Sequence, residues 1–431
     1  MTTTISETQR RFTYYRWLIF SILALGYVLV YFHRLSPGVM ALDLMESFGV
    51  GATVVGILGS AYFYPYAIMQ LPAGLLSDSL GPRKSVTIFL IIAAAGATLF
   101  ALSPNIQTAI AARVLVGLGV CMVFVPALKI LSQWFTRGEF SMMTAILNAM
   151  GGVGVLIAAA PLAFLTERIG WRNSFFAIGA ATLVLALVVW KWVRNRPDEV
   201  GLPPIIVGDE TSRDAVKAIP LVSGMLLVLQ NGRFWAIAIW FFFNCGVFFG
   251  LGGLWGGPYL MQVYGLSKTQ AGGILNMLAV GLIIGSPVLS TLSDRVFRSR
   301  KKVMLLSALA LCLTLLLPVI STDRLPFPLL YVLFYSIGMF SAAIVVIAFT
   351  ATKELFPLEI AGTSVGTVNL FPFAGGAAFQ PLLGYILARF TGESNAAGYR
   401  AVFIACFISA VIALISISLM KETLVSKPET K

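Results

Sequence analysis

Residues 74–85 read GLLSDSLGPRKS, and residues 287–302 read PVLSTLSDRVFRSRKK. Each stretch passes from small and apolar residues to Ser-Asp and then to a basic cluster. Each also follows the second long apolar segment in its half of the chain. The chain therefore has two halves with the same internal order, which is the pattern of a structural repeat.

The composition places both halves in a membrane. Of the 431 residues, 58% are hydrophobic and 11% are charged, and the mean hydropathy is +0.90. A soluble protein of this composition lacks the polar residues that its surface needs, whereas a protein surrounded by lipid does not. The four cysteines stand singly in apolar runs, at positions 121, 245, 312 and 406. Their spacing matches no metal site, so we expect neither a metal nor a cofactor.

Twelve segments are long and apolar enough to cross a bilayer, which takes about 20 residues each. These twelve spans cover residues 17–42, 51–77, 84–103, 107–135, 140–165, 174–193, 234–262, 268–293, 302–321, 327–355, 361–388 and 398–420. The fold class is thus an all-α membrane protein with twelve transmembrane helices in two pseudo-symmetric six-helix bundles. We expect an N-terminal bundle at 1–193, a polar linker with a short amphipathic helix at 194–233, and a C-terminal bundle at 234–431.

The basic residues predict the orientation. With both termini in the cytoplasm, 21 of the 30 lysines and arginines lie on the inner side and six on the outer side. This distribution follows the positive-inside rule, so the net charge of +12 does not indicate nucleic-acid binding. We expect a monomeric, multi-pass protein of a bacterial inner membrane with both termini cytoplasmic.

The loop at 74–84 matches the motif G-x-L-x-D-x-x-G-x-R-K through Gly74, Asp78, Gly81, Arg83 and Lys84. On these residues the chain resembles the major facilitator superfamily over its whole length. The resemblance implies a transporter that works by alternating access, in which Asp78 and Arg83 take part in gating.

Other stretches add to the resemblance. The second loop keeps Asp294 and its basic tail, although Phe297 stands where the motif has glycine, so gating by Asp294 is less fully supported. Arg113-x-x-x-Gly117-x-Gly119 in the fourth span and Gly170-Trp171-Arg172 after the fifth are similar to further superfamily motifs.

Three cations lie inside spans: Arg34, Arg113 and Lys129. No aspartate or glutamate does, once Asp43, Asp78, Asp294 and Glu354 at the span edges are set aside. A cation inside a membrane helix costs a few kcal/mol, so an unpaired one usually faces a water-filled cavity. Cations without a midplane carboxylate favour a cargo that supplies the negative charge.

Arg34 is the main candidate for binding such an anion. The segment Tyr31-Phe32-His33-Arg34 resembles the Tyr-x-x-Arg of the glycerol-phosphate and hexose-phosphate antiporters, whose arginine holds the anion. Lys129 stands where these relatives carry a basic residue. The seventh span, however, has no charge, and Gln70 stands where they have lysine. A carboxylate therefore fits better than a phosphate, as in the anion–cation symporter branch.

The other candidates are uncharged or weakly charged. Tyr62 and Tyr66 share a helix face in the second span, where their hydroxyls can contact a carboxylate. The other substrate-binding candidates are polar groups in the spans: Gln70, Asn244, Asn369 and Gln380. His33, the only histidine, is a candidate for carrying a coupling proton, and packing or a simple hydrogen bond is its alternative role.

The sequence thus predicts a secondary transporter of a small organic anion, with a proton or sodium ion as a possible co-substrate. The sequence shows no cluster of histidines and carboxylates that would suggest the active site of an enzyme. Two alternatives remain open: a multidrug or cation exporter of the same fold, and a membrane sensor that does not transport.

Overall fold

The computed structural model describes residues 2–70, 72–203, 221–390 and 392–424. Its secondary structure within these ranges is entirely helical. Apolar segments of this length form helices because each backbone N–H and C=O must find a partner inside the segment when no water is near.

The described part of the N-terminal half contains ten α-helices. They are α1 (Thr2–Leu35), α2 (Ala41–Phe48), α3 (Ala52–Ser60), α4 (Phe63–Met69), α5 (Pro72–Leu80), α6 (Pro82–Leu102), α7 (Ile106–Val120), α8 (Phe124–Trp134), α9 (Arg137–Ala158) and α10 (Ala160–Trp192). A 3₁₀ turn at Ser36–Val39 extends α1, and another at Pro197–Val200 follows α10. The first span is α1 with its turn, the second is α3–α5, the third is α6, and the fourth is α7 with α8.

The rest of the described chain contains α11 (Leu221–Gln230), α12 (Gly232–Val247), α13 (Gly256–Tyr264), α14 (Lys268–Thr291), α15 (Arg300–Ile320), α16 (Phe327–Ile337), α17 (Val345–Glu354), α18 (Leu358–Val368), α19 (Leu370–Arg389) and α20 (Asn395–Ser418). Three π-helical segments lie among them, at Phe248–Trp255, Leu292–Val296 and Gly338–Ala343. The seventh span is α12–α13, the eighth α14, the ninth α15, the tenth α16–α17, the eleventh α18–α19 and the twelfth α20.

The fifth and sixth spans follow each other in one long helical segment. Eleven helical segments of the described chain are apolar enough to cross a membrane, and one of them, Gly138–Trp192, is 55 residues long. A single crossing takes about 20 residues, so this segment crosses twice. The reversal lies at Gly170, whose backbone (φ 78°, ψ 160°) is not helical. The described chain therefore crosses twelve times, with the sixth span starting about three residues before the predicted position 174.

Side-chain caps fix where several helices begin. Thr136 with Glu139 forms a capping box at the start of α9, and Ser267 with Gln270 forms one at the start of α14. Such caps satisfy backbone N–H groups that have no partner inside the helix. They locate the loop ends more sharply than hydropathy does.

Two faces of the molecule can be defined by contacts near the loops. The terminal face contains the ion pair Arg16–Glu139 and the described end of the chain near Glu422. The opposite face contains the loop after the first span, where Asp43 pairs with Lys268. Helix α11 lies directly before the seventh span, in the segment for which the sequence predicts a linker, and residues 204–220 of this predicted linker lie outside the described residues. The domain limits at 193 and 233 stay predictions.

Candidate functional site

Arg34 lies near the end of α1, between the two halves, and only 3% of its surface is exposed. Five aromatic rings surround it. Its guanidinium carbon is 4.5 Å from the ring centre of Tyr31, 4.8 Å from Tyr66, 5.0 Å from Phe373, 5.6 Å from Phe249 and 5.9 Å from Tyr62. Tyrosines of the first and second spans thus meet phenylalanines of the seventh and eleventh spans around one cation.

The charge of Arg34 is not paired. No carboxylate of the described residues lies within ion-pair distance of it, and its Nε has no hydrogen-bond partner. Aromatic faces attract a cation but do not replace the planar, paired hydrogen bonds that a guanidinium makes with a carboxylate or phosphate. These five rings and the guanidinium of Arg34 are called the chamber, and within it the Nε of Arg34 keeps hydrogen-bonding capacity that suits an anion.

Two contacts between the halves lie on the side of this chamber that faces the terminal face. The rings of Tyr66 and Phe373 lie 4.4 Å apart, and one helical turn further Asn369 donates a hydrogen bond of 2.8 Å to Gln70. The rings of Tyr62 and Tyr66 stack at 5.7 Å, which confirms that these two tyrosines share a face. Gln70 and Asn369 therefore join the second and eleventh spans across the path from Arg34 to the terminal face.

On the other side of Arg34 the halves meet closely. A Cβ atom placed on Gly38 would lie 2.7 Å from the carbonyl oxygen of Gly253, so only glycine permits this approach of the first and seventh spans. Nearer the opposite face, Lys268 pairs with Asp43 at 2.7 Å, and Glu167 accepts hydrogen bonds from the N–H and hydroxyl of Thr269. The described hydrogen bonds and ion pairs between the halves thus lie at the opposite face or in the middle, and the structure is closed at the opposite face.

Two residues predicted to line the cavity, Asn244 and Gln380, form hydrogen bonds with neighbouring helices instead. The Nδ2 of Asn244 donates to the carbonyl of Ser341, which joins the seventh and tenth spans. The Nε2 of Gln380 donates to the carbonyl of Phe249, and only 1% of Gln380 is exposed. Both side chains are buried in contacts between helices.

His33 points away from Arg34 into the N-terminal bundle. It is fully buried, and its Nε2 lies 3.3 Å from the hydroxyl of Thr182 in the sixth span. Its carbonyl accepts a hydrogen bond of 2.8 Å from Arg113. This geometry matches the alternative role of a simple hydrogen bond.

Lys129 is predicted to be a buried cation, but in the structure its side chain is partly exposed. Its side chain is 40% exposed, and its ammonium pairs with Asp78. Both residues line a cavity of about 580 Å³ near the terminal face, together with Gln133 and Arg196. The charge of Lys129 is therefore balanced by the gating candidate Asp78, so Lys129 is not a buried, unpaired cation like Arg34.

The other gating candidates also have partners near the terminal face. Arg83 donates to the carbonyl of Trp190, and its backbone N–H donates to the side chain of Asn195. In the second half Arg300 pairs with Asp294 and with Glu354.

The chain end joins this second network. Glu422 accepts hydrogen bonds from the hydroxyl of Ser299 and from the backbone N–H groups of Arg300, Thr423 and Leu424. Burial alone would raise the pKa of the Glu422 carboxyl, but these hydrogen bonds outweigh it and hold the pKa below its usual value. Glu422 therefore stays ionised and ties the described segment after α20 to the start of α15.

Sequence reasoning missed part of the site. Phe249 and Phe373 are two of 31 phenylalanines, and nothing in their local pattern distinguishes them. Tyr31 was visible only as part of the Tyr-x-x-Arg segment. The contacts of Asp43 with Lys268 and of Glu167 with Thr269 join residues more than 100 positions apart, and only the packing of the halves brings them together.

Comparison with known proteins agrees with this architecture. The sequence pattern of the Major Facilitator Superfamily matches residues 23–379 and residues 256–431. The chain therefore belongs to this superfamily. It is a multi-pass integral membrane protein of a transporter family and not an enzyme.

Three relatives show the range of activities near this chain. It is 27% identical to the membrane sensor protein UhpC of Salmonella typhimurium, over 95% of this chain and 93% of that protein. It is 24% identical to a probable hexose phosphate transport protein of Chlamydia trachomatis, over 94% and 91% of the two chains. It is 23% identical to the probable sulfoacetate transporter SauU of Cupriavidus necator, over 87% and 88%.

Proposed function

We propose that this protein is a secondary transporter that moves a small organic anion by alternating access, and that Arg34 binds the carboxylate of that anion. The main support is the unpaired Arg34 in a chamber built by both halves. An anion held there contacts Tyr66 of one half and Phe373 of the other. It therefore changes the contacts that hold the halves together, as transport by alternating access requires.

The chemistry of the chamber favours a carboxylate or a similar oxyanion over a cation. The acidic side chains Asp43, Asp78, Asp294 and Glu354 pair with cations near the two faces. None of them faces Arg34, so a cationic drug finds no partner in the chamber. The names of two relatives, for hexose phosphate and sulfoacetate, also denote anions.

Counterflow in liposomes tests this proposal. Vesicles with purified protein and an unlabelled anion inside are offered labelled monocarboxylates, dicarboxylates, sulfonates, sugar phosphates and organic cations. We expect an organic acid to exchange. Imposed proton or sodium gradients then show whether either ion is coupled to transport.

Substitution of Arg34 tests the site. Loss of one partner of a buried, hydrogen-bonded charge pair costs about 2 kcal/mol or more, so Arg34→Ala and Arg34→Lys should lower exchange roughly thirtyfold or further. Arg168→Lys, at an exposed arginine, is the matched control and should exchange normally. Unchanged exchange by inserted Arg34 variants, or exchange of organic cations only, contradicts the proposal.

A sensor is the second candidate function, because the relative UhpC is named as one. A sensor binds the anion without moving it. Binding of an anion by the purified protein without counterflow in liposomes would favour this candidate over transport.

We also propose that the terminal face is cytoplasmic and that the protein lies in a bacterial inner membrane, in agreement with the positive-inside rule. An impermeant maleimide should label a cysteine at position 323 in spheroplasts. It should label a cysteine at position 295 only after the membrane is opened. The reverse pattern overturns the orientation.

A further inference from the structure

A second buried arginine lies behind the chamber. Arg113 in α7 is fully buried, and its Nη1 donates to the carbonyl of His33. Its Nε and Nη2 have no hydrogen-bond partner, and no carboxylate of the described residues pairs with it. A single carbonyl oxygen does not neutralise a guanidinium, so this cation keeps its charge in a medium where charge is costly.

The ring of Tyr62 lies close to both arginines. Its centre is 5.9 Å from the guanidinium carbon of Arg34 and 5.2 Å from that of Arg113. The hydroxyl of Tyr62 donates to the carbonyl of Val30, which holds the ring in place. A Cβ on Gly117 would lie 2.1 Å from the carbonyl oxygen of Tyr62, so glycine in the fourth span lets α7 bring Arg113 this close.

The chamber and its wall therefore contain two positive charges. The carboxylates near the faces are engaged elsewhere, as Asp43 with Lys268 and Asp78 with Lys129. An anion with one negative charge on Arg34 leaves the second positive charge unbalanced. An anion with two negative charges balances both, provided that its second charge lies on the Tyr62 side of Arg34.

We propose that the substrate is a dianion, such as a dicarboxylate or a carboxylate that also bears a second acidic group, and that Arg113 determines this specificity. The inference rests on the proposed function of Arg34 as the anion-binding residue. Arg113 does not contact the substrate; it acts through its field across the Tyr62 ring. Two unit charges roughly 10 Å apart at an effective dielectric constant of about 20 give more than a tenfold preference for the dianion.

Competition in proteoliposomes tests this specificity. The probe is the best-exchanged anion of the counterflow panel. The competitors are malonate, succinate and tartrate, each compared with its own half-amide, which keeps the skeleton and removes one charge. For wild type, at least one dicarboxylate should compete more than tenfold better than its half-amide. The proposal is overturned if no half-amide is weaker than its diacid.

Variants of Arg113 separate charge from packing. Arg113→Gln removes the charge, so it should lower the preference for a diacid over its half-amide about tenfold. Arg113→Lys keeps the charge and should keep most of the preference. An unchanged preference in Arg113→Gln, or loss of the preference in an inserted Arg113→Lys, overturns the proposal. Loss of exchange in Arg34→Lys together with no preference for diacids would leave the proposed function standing and remove only this inference.

Discussion

At the scale of single residues, the chamber around Arg34 is formed by side chains of both halves. Its rings come from four spans, and the contact of Tyr66 with Phe373 closes the chamber with atoms from each half. Arg34 could be predicted because a charge in an apolar segment is rare and visible. Phe249 and Phe373 could not, because a phenylalanine in a membrane helix is ordinary until its neighbours are known.

His33 gives a prediction at this scale. Its side chain is fully buried beside Thr182 and does not reach the chamber. His33→Gln keeps a group that can hydrogen-bond Thr182, so we expect anion exchange within about twofold of wild type and the same dependence on pH. Exchange measured from pH 5.5 to 8 checks this. A pH profile that flattens in the variant would show instead that His33 carries a coupling proton.

At the scale of helices, glycines and breaks decide how closely the spans meet. The hydropathy pattern predicted the spans well, since long apolar segments must be helical in a membrane. It missed the internal breaks of the second span and the π-helical segment of the seventh span at Phe248–Trp255. That segment contains Phe249, and wide helical turns of this kind often occur at functional sites. Such breaks depend on contacts between spans, which hydropathy does not contain.

Gly38 gives a prediction for the first and seventh spans. Gly38→Ala places a methyl group 2.7 Å from the carbonyl oxygen of Gly253 and should push the two spans apart near the opposite face. Spin labels at two exposed positions, 46 in α2 and 323 in the loop after α15, should then move further apart. Gly273→Ala, which meets no atom within 4 Å, is the control and should leave the distance unchanged. Equal distances in wild type and Gly38→Ala would contradict this role of Gly38.

At the scale of the whole molecule, the two halves repeat one plan with different charges. In the first half the loop carboxylate Asp78 pairs with Lys129 of the fourth span. In the second half Arg300, at the start of the ninth span, pairs with Glu354 of the tenth span and with Asp294. The repeat could be predicted from the two loops. The choice of partners could not, because it depends on which helix ends meet near the terminal face.

The ion pair Asp43–Lys268 gives a prediction for the closed face. Lys268 begins α14, where the helix dipole disfavours a positive charge, so its pairing across the halves favours closure more than it stabilises the helix. Lys268→Glu and Asp43→Lys should each widen the distance between the labels at 46 and 323. The double variant restores the pair with reversed charges and should restore the shorter distance. A double variant as open as the single ones would show that the pair does not hold the halves together.

The most direct test of the central claim is ligand-dependent thermal stability of the purified protein. A ligand that binds only the folded state raises its stability, by about 2.7 kcal/mol at a hundred times its dissociation constant. An organic anion should give a saturable rise in Tm for wild type and for Arg168→Lys, and none for Arg34→Ala; organic cations should give no rise in any of the three. A rise in Tm with the anion that survives in Arg34→Ala, or a rise with organic cations only, would contradict the account of Arg34 as the anion site.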